Sequence, residues 1–116
     1  MKKFIKANQT HIKRNSTTCE VIEYLFYQPN LGIAHAKING RYPDEQNKKA
    51  INNVCDIIYF VLDGSGLVHT ENGDFNLEKH DALFLTYGEW YWVEGNSLEI
   101  LVLSAPEWTV GQYKEI

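Results

Sequence analysis

Residues 56–66, DIIYFVLDGSG, and residues 83–95, LFLTYGEWYWVEG, decide the fold of this chain. The first stretch is an apolar run rich in β-branched and aromatic residues, and it ends in glycine-rich residues typical of a hairpin turn. The second stretch contains two further apolar runs on either side of a Tyr-Gly turn. Each run is apolar at consecutive positions, which predicts strands that are covered on both faces.

Turn formers divide the rest of the chain into short β-rich runs. Asn72-Gly73 is a two-residue hairpin signal, because the turn type it favours needs positive φ at both positions. The polar residues 44–53 are expected to form the longest loop, and no segment has a sustained helical period. Many short strands with regular turns are typical of an all-β sandwich or barrel. The predicted strands are residues 20–27, 31–38, 56–62, 67–70, 74–77, 82–86, 90–94 and 98–103.

Length and composition indicate one globular domain. We expect it to span residues 1–116, with an N-terminal arm at about 1–18 and a C-terminal tail at 104–116. The net charge of −4 argues against nucleic acid as a partner, and no apolar run reaches the length that spans a membrane. The basic start of the chain is expected to be a solvated, fraying end. Cys19 and Cys55 lack metal-type spacing, so we expect reduced, buried thiols and a cytoplasmic location.

The two blocks resemble those of the cupin superfamily. Its first block ends in Tyr-Val-Leu-x-Gly-x-Gly, which residues 57–66 match closely. Its second block has the frame found at residues 80–91, although His80 stands at a usual glycine and Thr86 at a usual proline. The resemblance covers about residues 40–103 and implies an all-β, cupin-type double-sheet β-barrel, or jelly roll. The Arg-Tyr-Pro turn at 41–43 and the Pro-Glu-Trp at 106–108 resemble a subgroup of small, uncharacterised single-domain cupins.

The resemblance also implies where a cupin metal would be held. A His-x-His pair, a glutamate and a last histidine are usual, and the corresponding positions here are Ala50, Asn52, Ile57 and Tyr91. None of these is a good ligand for Zn, Fe or Mn. We therefore expect no metal and no cofactor. His35 is the histidine that leaves an atypical site open, since it lies either on the barrel face or on an ordinary outer face of its strand.

Without metal ligands, the predicted barrel becomes a pocket lined by aromatic and polar groups. Ile57, Tyr59 and Val61 share the inward face of one strand, and Tyr91 enters from the other block, so two hydroxyls on stiff rings could contact a small ring. Both tyrosines could equally fill the core. Three further candidates have ordinary alternatives as well: surface pairing for Arg41, turn capping for Asn53 and an exposed turn for Glu89. The candidate ligand-binding residues are Tyr59, Tyr91, His35, Arg41, Asn53 and Glu89.

Three functions remain open from the sequence. The preferred hypothesis is a metal-free cupin that binds a small polar molecule, either a sugar or an organic acid, and forms a homodimer that covers surplus apolar surface. The second is a cupin enzyme, either a sugar isomerase or epimerase or a metal-dependent oxygenase, that uses atypical residues among His35, Asp56, Glu89 and Tyr91. The third is an interaction module with a vestigial pocket, in which the outward Trp90 and Trp92 contact another protein.

Overall fold

The computed structural model describes residues 2–116, and the described chain is almost entirely β-structure. Two 3₁₀ helices, Ala7–Gln9 and Val110–Gln112, lie near the ends of the chain. This confirms the all-β prediction. The strands are β1 (His11–Ser16), β2 (Cys19–Tyr24), β3 (Gly32–Tyr42), β4 (Ala50–Asn52), β5 (Asp56–Thr70), β6 (Gly73–Leu77), β7 (Ala82–Leu85), β8 (Trp90–Ala105) and β9 (Tyr113–Glu115).

Strand β8 is the spine of the fold, because it pairs antiparallel with β3, β4 and β5. On one side of β8 the strand order continues through β3 to β2 and β1. On the other side β4 is followed by β9. Strand β5 carries β6 and β7 on its free edge. The sheet curls so that one face encloses a buried core.

The glycine-rich segment 63–66 does not reverse the chain, contrary to the prediction of a hairpin turn. Strand β5 runs through it, with Val61 paired to Ile100 before it and Ser65 paired to Asn96 after it. The register shifts between these pairs mark bulges, which bend and twist a strand without ending it. Gly64 has φ of +72°, and a Cβ there would lie 2.0 Å from the carbonyl oxygen of Ser97. Glycine is therefore needed for a corner that β5 and β8 turn together.

The segment 72–73 does mark a hairpin, between β5 and β6. Thr70 pairs with Gly73, so the two loop residues are Glu71 and Asn72, one position earlier than the sequence suggests. Gly73 has φ of +130°. Its conformation closes the turn at the first residue of β6.

A strand near each end of the described chain belongs to the sheet, which corrects the expected arm, and part of the expected loop is a strand as well. Residues 11–16 form β1, where Ile12 pairs with Ile22 of β2, so six residues of the predicted arm form an edge strand. Residues 50–52 of the predicted loop at 44–53 form β4, in which Ala50 and Asn52 are buried. Strand β9 then pairs with β4, which brings the tail against the core.

Alternation along β5 matches the prediction for its inward face. Ile57, Tyr59 and Val61 are buried, whereas Ile58 and Phe60 between them are only half-buried. Cys19 and Cys55 are free and buried. In residues 2–116, no helix is long and apolar enough to cross a membrane.

Candidate functional site

A cavity of about 100 Å³ lies between the inward faces of the curled sheet. Strands β2 and β3 form one wall, and β5 and β8 form the other. The C-terminal tail contributes to the same cavity through residues 107, 108 and 113. Its lining includes Cys19, Val21, Ala36, Tyr42, Asn52, Ile57, Tyr59, Tyr91, Ser104, Glu107, Trp108 and Tyr113.

Tyr59 and Tyr91, the two tyrosines predicted from the sequence, both line this cavity. Their rings meet edge to face with centroids 6.2 Å apart, and each residue is only 4% exposed. Burial raises the pKa of the Tyr59 hydroxyl, and burial likewise raises the pKa of Tyr91 against the opposing effect of its hydrogen bonds. Both phenols therefore stay protonated, and they act as neutral hydrogen-bonding groups.

Asn52, and not the predicted Asn53, faces the cavity. The Asn52 amide nitrogen donates to the Tyr91 hydroxyl oxygen at 3.3 Å, and its amide oxygen accepts the indole N–H of Trp108 at 2.8 Å. Asn53 is exposed, because alternation along β4 turns its neighbour Asn52 inward. Trp108 thus closes one side of the cavity.

Two further tyrosines reach the cavity from distant parts of the chain. The Tyr42 hydroxyl donates to the Tyr113 hydroxyl at 3.0 Å, and Tyr113 donates to the Glu115 carboxylate at 2.9 Å. Burial is the main cause that raises the pKa of both phenols. Sequence reasoning treated the first as part of a turn and the second as tail, so it missed their shared role as a wall.

Glu107 is the functional candidate that the sequence reasoning missed entirely. It lines the cavity, and its Oε2 atom is buried without a hydrogen-bond partner in residues 2–116. A buried carboxylate oxygen without a partner is costly, which makes it a natural acceptor for a bound molecule. The available signal was the Pro-Glu-Trp segment, which places a carboxylate beside a large aromatic residue.

His35 lies on the outer face of β3, so the structure does not bring it to the cavity. Its Nε2 atom lies 3.7 Å from Glu99 Oε2, and Ala34 and Ala36 line the cavity instead. The predicted alternation is correct, but the face that turns inward is the one with small side chains. Alanines there leave room for the tyrosine rings.

Arg41 also lies outside the cavity. Its guanidinium stacks over the Trp92 ring at 4.0 Å and donates to the backbone carbonyls of Glu45 and Lys48. It therefore holds the loop before β4. Within the described residues it forms no ion pair with the neighbouring Asp44 or Glu45 carboxylates. Trp92 also stacks on His69 at 3.9 Å, which agrees with its predicted outward direction.

Glu89 is buried, although its turn position suggested exposure, and it does not line the cavity. Its carboxylate accepts from the side-chain amide of Asn72 at 2.8 Å and from the backbone N–H of Thr86 at 3.0 Å. These bonds satisfy the charge and tie the turn before β8 to the β5–β6 turn. The residue is therefore placed to support two turns.

The positions of the usual cupin metal ligands converge here, but their chemistry does not fit a metal. Ala50 is paired with Tyr91, and Asn52 is bonded to it. With Ile57, these four buried residues offer an apolar wall, an amide and a phenol, and they offer no imidazole or carboxylate. In the part of the chain that the structure describes, no group of three or more His, Cys, Asp or Glu is placed to hold a metal ion.

Neither a protein-family model nor a curated protein matches this sequence. Solved structures do match its fold. PAC13 from Streptomyces, a nucleoside dehydratase, matches with a TM-score of 0.86 at 13% identity, over 100% of this chain and 92% of that chain. KdgF from a Halomonas species matches at 0.73 and 14% identity, over 91% and 96% of the two chains. Ectoine synthase from P. lautus matches with a TM-score of 0.68 at 11% identity, over 88% of this chain and 78% of that chain.

These structures are cupin-fold proteins, and the chain described here has the same fold. The cupin resemblance of the two sequence blocks is therefore confirmed as a statement about architecture. Variants of PAC13 have been solved with uridine, which is a property of that protein.

Proposed function

We propose that this protein is a metal-free cupin that binds a small polar molecule inside the barrel. One observation carries the proposal. Three of the four positions that would hold a cupin metal, Asn52, Ile57 and Tyr91, instead line a cavity of about 100 Å³, and Asn52 is hydrogen-bonded to Tyr91. A cavity with mostly apolar walls and a few fixed polar groups is typical of a small-molecule site.

The shape of the lining supports a ligand that contains a ring. Tyr59 and Tyr91 meet edge to face, and Trp108 contributes a third aromatic side chain. Aromatic walls favour flat or ring-shaped ligands, and hydroxyls at their edges recognise sugar-like groups. PAC13, which shares the fold, has been solved with uridine, a nucleoside, and this supports a sugar or nucleoside class for the ligand here.

The same proposal includes a homodimer. The outer face of the sheet carries Ile58 and Phe60 on β5, which pair with Leu103 and Leu101 on β8. Phe84 of β7 lies beside Ile58 and is 56% exposed. A contiguous apolar patch of this kind is typical of an association surface, and a second copy presents the same face. A cytoplasmic location is also proposed, on the basis of the two free, buried cysteines.

A second candidate function is acid–base catalysis on a molecule bound in the same cavity. Glu107 favours it, because a buried carboxylate oxygen without a partner is suited to accept a proton from a substrate. Of the catalytic residues considered from the sequence, Tyr91 is the one that lines the cavity. Asp56 accepts the backbone N–H of Tyr87 instead, at 3.0 Å. The interaction-module alternative has less support, since Lys49 and Arg41 cover Trp90 and Trp92.

Binding in the cavity is tested by isothermal titration of nucleosides, sugars and organic acids against the wild type and Ala36→Phe. Ala36 lines the cavity and is 3% exposed, so a phenyl ring there occupies the ligand volume. We expect one ligand class to bind the wild type and to lose at least tenfold in affinity in the variant.

Ala7→Phe is the matched control, because it adds the same ring at an exposed position. Val102→Phe fills the cavity from β8 and serves if the first variant fails to fold, which thermal unfolding reports. Binding that is unchanged in both cavity variants would place the ligand elsewhere and contradict the proposal.

A further inference from the structure

The hydrogen-bond donors and acceptors around the cavity have fixed directions, which can be traced from groups with only one possible role. The indole N–H of Trp108 can only donate, so the atom of Asn52 that it contacts must be the amide oxygen. The Asn52 amide nitrogen then donates to the Tyr91 oxygen. The Tyr59 hydroxyl is a second neighbour of the Tyr91 oxygen. One hydrogen of these two hydroxyls lies between them, and the other is left to donate into the cavity.

A second part of the lining, which begins at Tyr113 beside Asn52, has the reverse polarity. The Glu115 carboxylate can only accept, so the Tyr113 hydroxyl donates to it, and the Tyr42 hydroxyl donates to Tyr113. Both phenolic hydrogens are thereby used, and only their oxygens remain for a ligand. The Glu107 Oε2 atom adds an acceptor with no partner in the described chain.

The charges around the cavity have one sign. Glu23 and Glu107 line it, and no Lys, Arg or His is among the lining residues of the described chain. Two cations lie nearby but outside the lining: Lys13 Nζ is 5.1 Å from the centroid of the Trp108 ring, and the charge of Arg14 acts on Cys19. An anionic ligand would therefore meet carboxylates with no cation in the lining itself to pair with, which is unfavourable in a partly buried site.

We infer that the cavity selects an uncharged ligand that accepts a hydrogen bond from the Tyr59–Tyr91 pair and donates one to Glu107. A neutral ring compound that carries both a carbonyl and hydroxyls meets both requirements. The inference rests on the proposed function, and it narrows that proposal, because it removes organic acids from the candidate ligands and keeps neutral sugars and nucleosides.

The test compares matched pairs of a neutral compound and its anionic counterpart by isothermal titration: uridine with uridine 5′-monophosphate, and glucose with glucuronate. In at least one pair, we expect the neutral member to bind at least tenfold more tightly to the wild type. Glu107→Gln should reduce that preference about tenfold, since it removes a negative charge but keeps the shape. Glu78→Gln is the control, because Glu78 is an exposed carboxylate that does not line the cavity.

Tyr91→Phe removes one hydroxyl of the donor pair. It should weaken binding of the neutral compound about 3- to 10-fold, the effect of one hydrogen bond. Equal or tighter binding of the anion, abolished by Ala36→Phe, would overturn this inference and leave the proposed function standing. Binding of neither member of any pair, or binding that survives Ala36→Phe, would contradict the proposed function and the inference with it.

Discussion

At the level of single residues, burial decides which polar side chains can take part in chemistry. Cys19 lines the cavity and is 2% exposed. Burial raises the pKa of its thiol to about 12, despite the opposing charge of Arg14. The thiolate is the reactive form of cysteine, so at neutral pH Cys19 is a small filler of the cavity wall and not a nucleophile.

His69 provides a prediction at the same scale, because two carboxylates hold its imidazolium on the outer face. Partial burial alone would lower its pKa, but hydrogen bonds with Glu94 at 2.6 Å and Asp74 at 2.9 Å outweigh this effect and raise the pKa above 6.5. The resulting stabilisation is complete below pH 6.5, the unfolded value, and is lost as the pH rises through the folded pKa.

The comparison of wild type with His69→Phe isolates this effect, since phenylalanine keeps a ring to stack on Trp92. We expect the free energy of unfolding of the wild type to exceed that of the variant by up to about 1 kcal/mol at pH 5.5. This difference should shrink above the folded pKa of His69. Denaturant unfolding across this pH range measures it. In an NMR titration, Glu94→Gln should lower the pKa of His69, and a wild-type pKa at or below 6.5 would contradict the prediction.

At the level of elements, the shared corner of β5 and β8 shapes the cavity. Both strands bend there, and their pairing continues on each side, with Tyr59 paired to Val102 before the corner and Val68 paired to Val93 after it. The corner depends on the bulges around Asp63 and on the positive φ of Gly64 and Ser97. Side chains from both halves of β8, Tyr91 and Ser104, therefore meet in one cavity.

Gly64→Ala tests the corner. We expect a loss of about 3 kcal/mol in the free energy of unfolding, because the new Cβ combines a strained φ with a backbone contact at 2.0 Å from Ser97. Gly88→Ala is the matched control for strain alone, since Gly88 has φ of +81° and no atom near the added Cβ, and it should cost about 1 kcal/mol. Equal effects of the two substitutions in urea unfolding would show that the close approach does not matter.

At the level of the whole molecule, the two faces of the sheet have different roles. The inner face encloses the core and the cavity, whereas the outer face of β5, β7 and β8 presents Ile58, Phe60, Phe84, Leu101 and Leu103. No charged residue stands among these paired positions. Unless another molecule covers this face, its apolar side chains remain in contact with water.

Phe84→Asp tests whether a second copy covers it. We expect sedimentation equilibrium to give twice the 13.4 kDa chain mass for the wild type and a shift to the single-chain mass for the variant. A carboxylate at the centre of a self-complementary patch meets its own copy, which weakens association at least tenfold. Val110→Asp, at another exposed apolar residue, should leave the mass unchanged. A monomeric wild type would contradict the dimer.

Much of the site was predictable because strand alternation is a local property. Tyr59 could be assigned to the inward face of β5 together with Ile57 and Val61, and Tyr91 to the opposing block. Alternation also separated two faces of β3, but it could not say which face turns inward, so His35 remained ambiguous. That choice depends on packing against the other strands, where the small Ala34 and Ala36 fit beside the tyrosine rings.

By itself, the sequence determined the all-β class and the alternation that sets Ile57, Tyr59 and Val61 on one face, since both follow from residue type and short spacing. The cupin-type frame, the replaced ligand positions and the inward direction of Tyr59 and Tyr91 came from the resemblance of the two sequence blocks to that family. Only the tertiary structure decided that Trp108 bonds to Asn52, 56 residues away, and that Tyr42 bonds to Tyr113, 71 residues away. The same holds for the buried oxygen of Glu107. Such contacts depend on how the curled sheet brings its ends together, and no local pattern of hydrophobicity or turns encodes which distant side chains then meet.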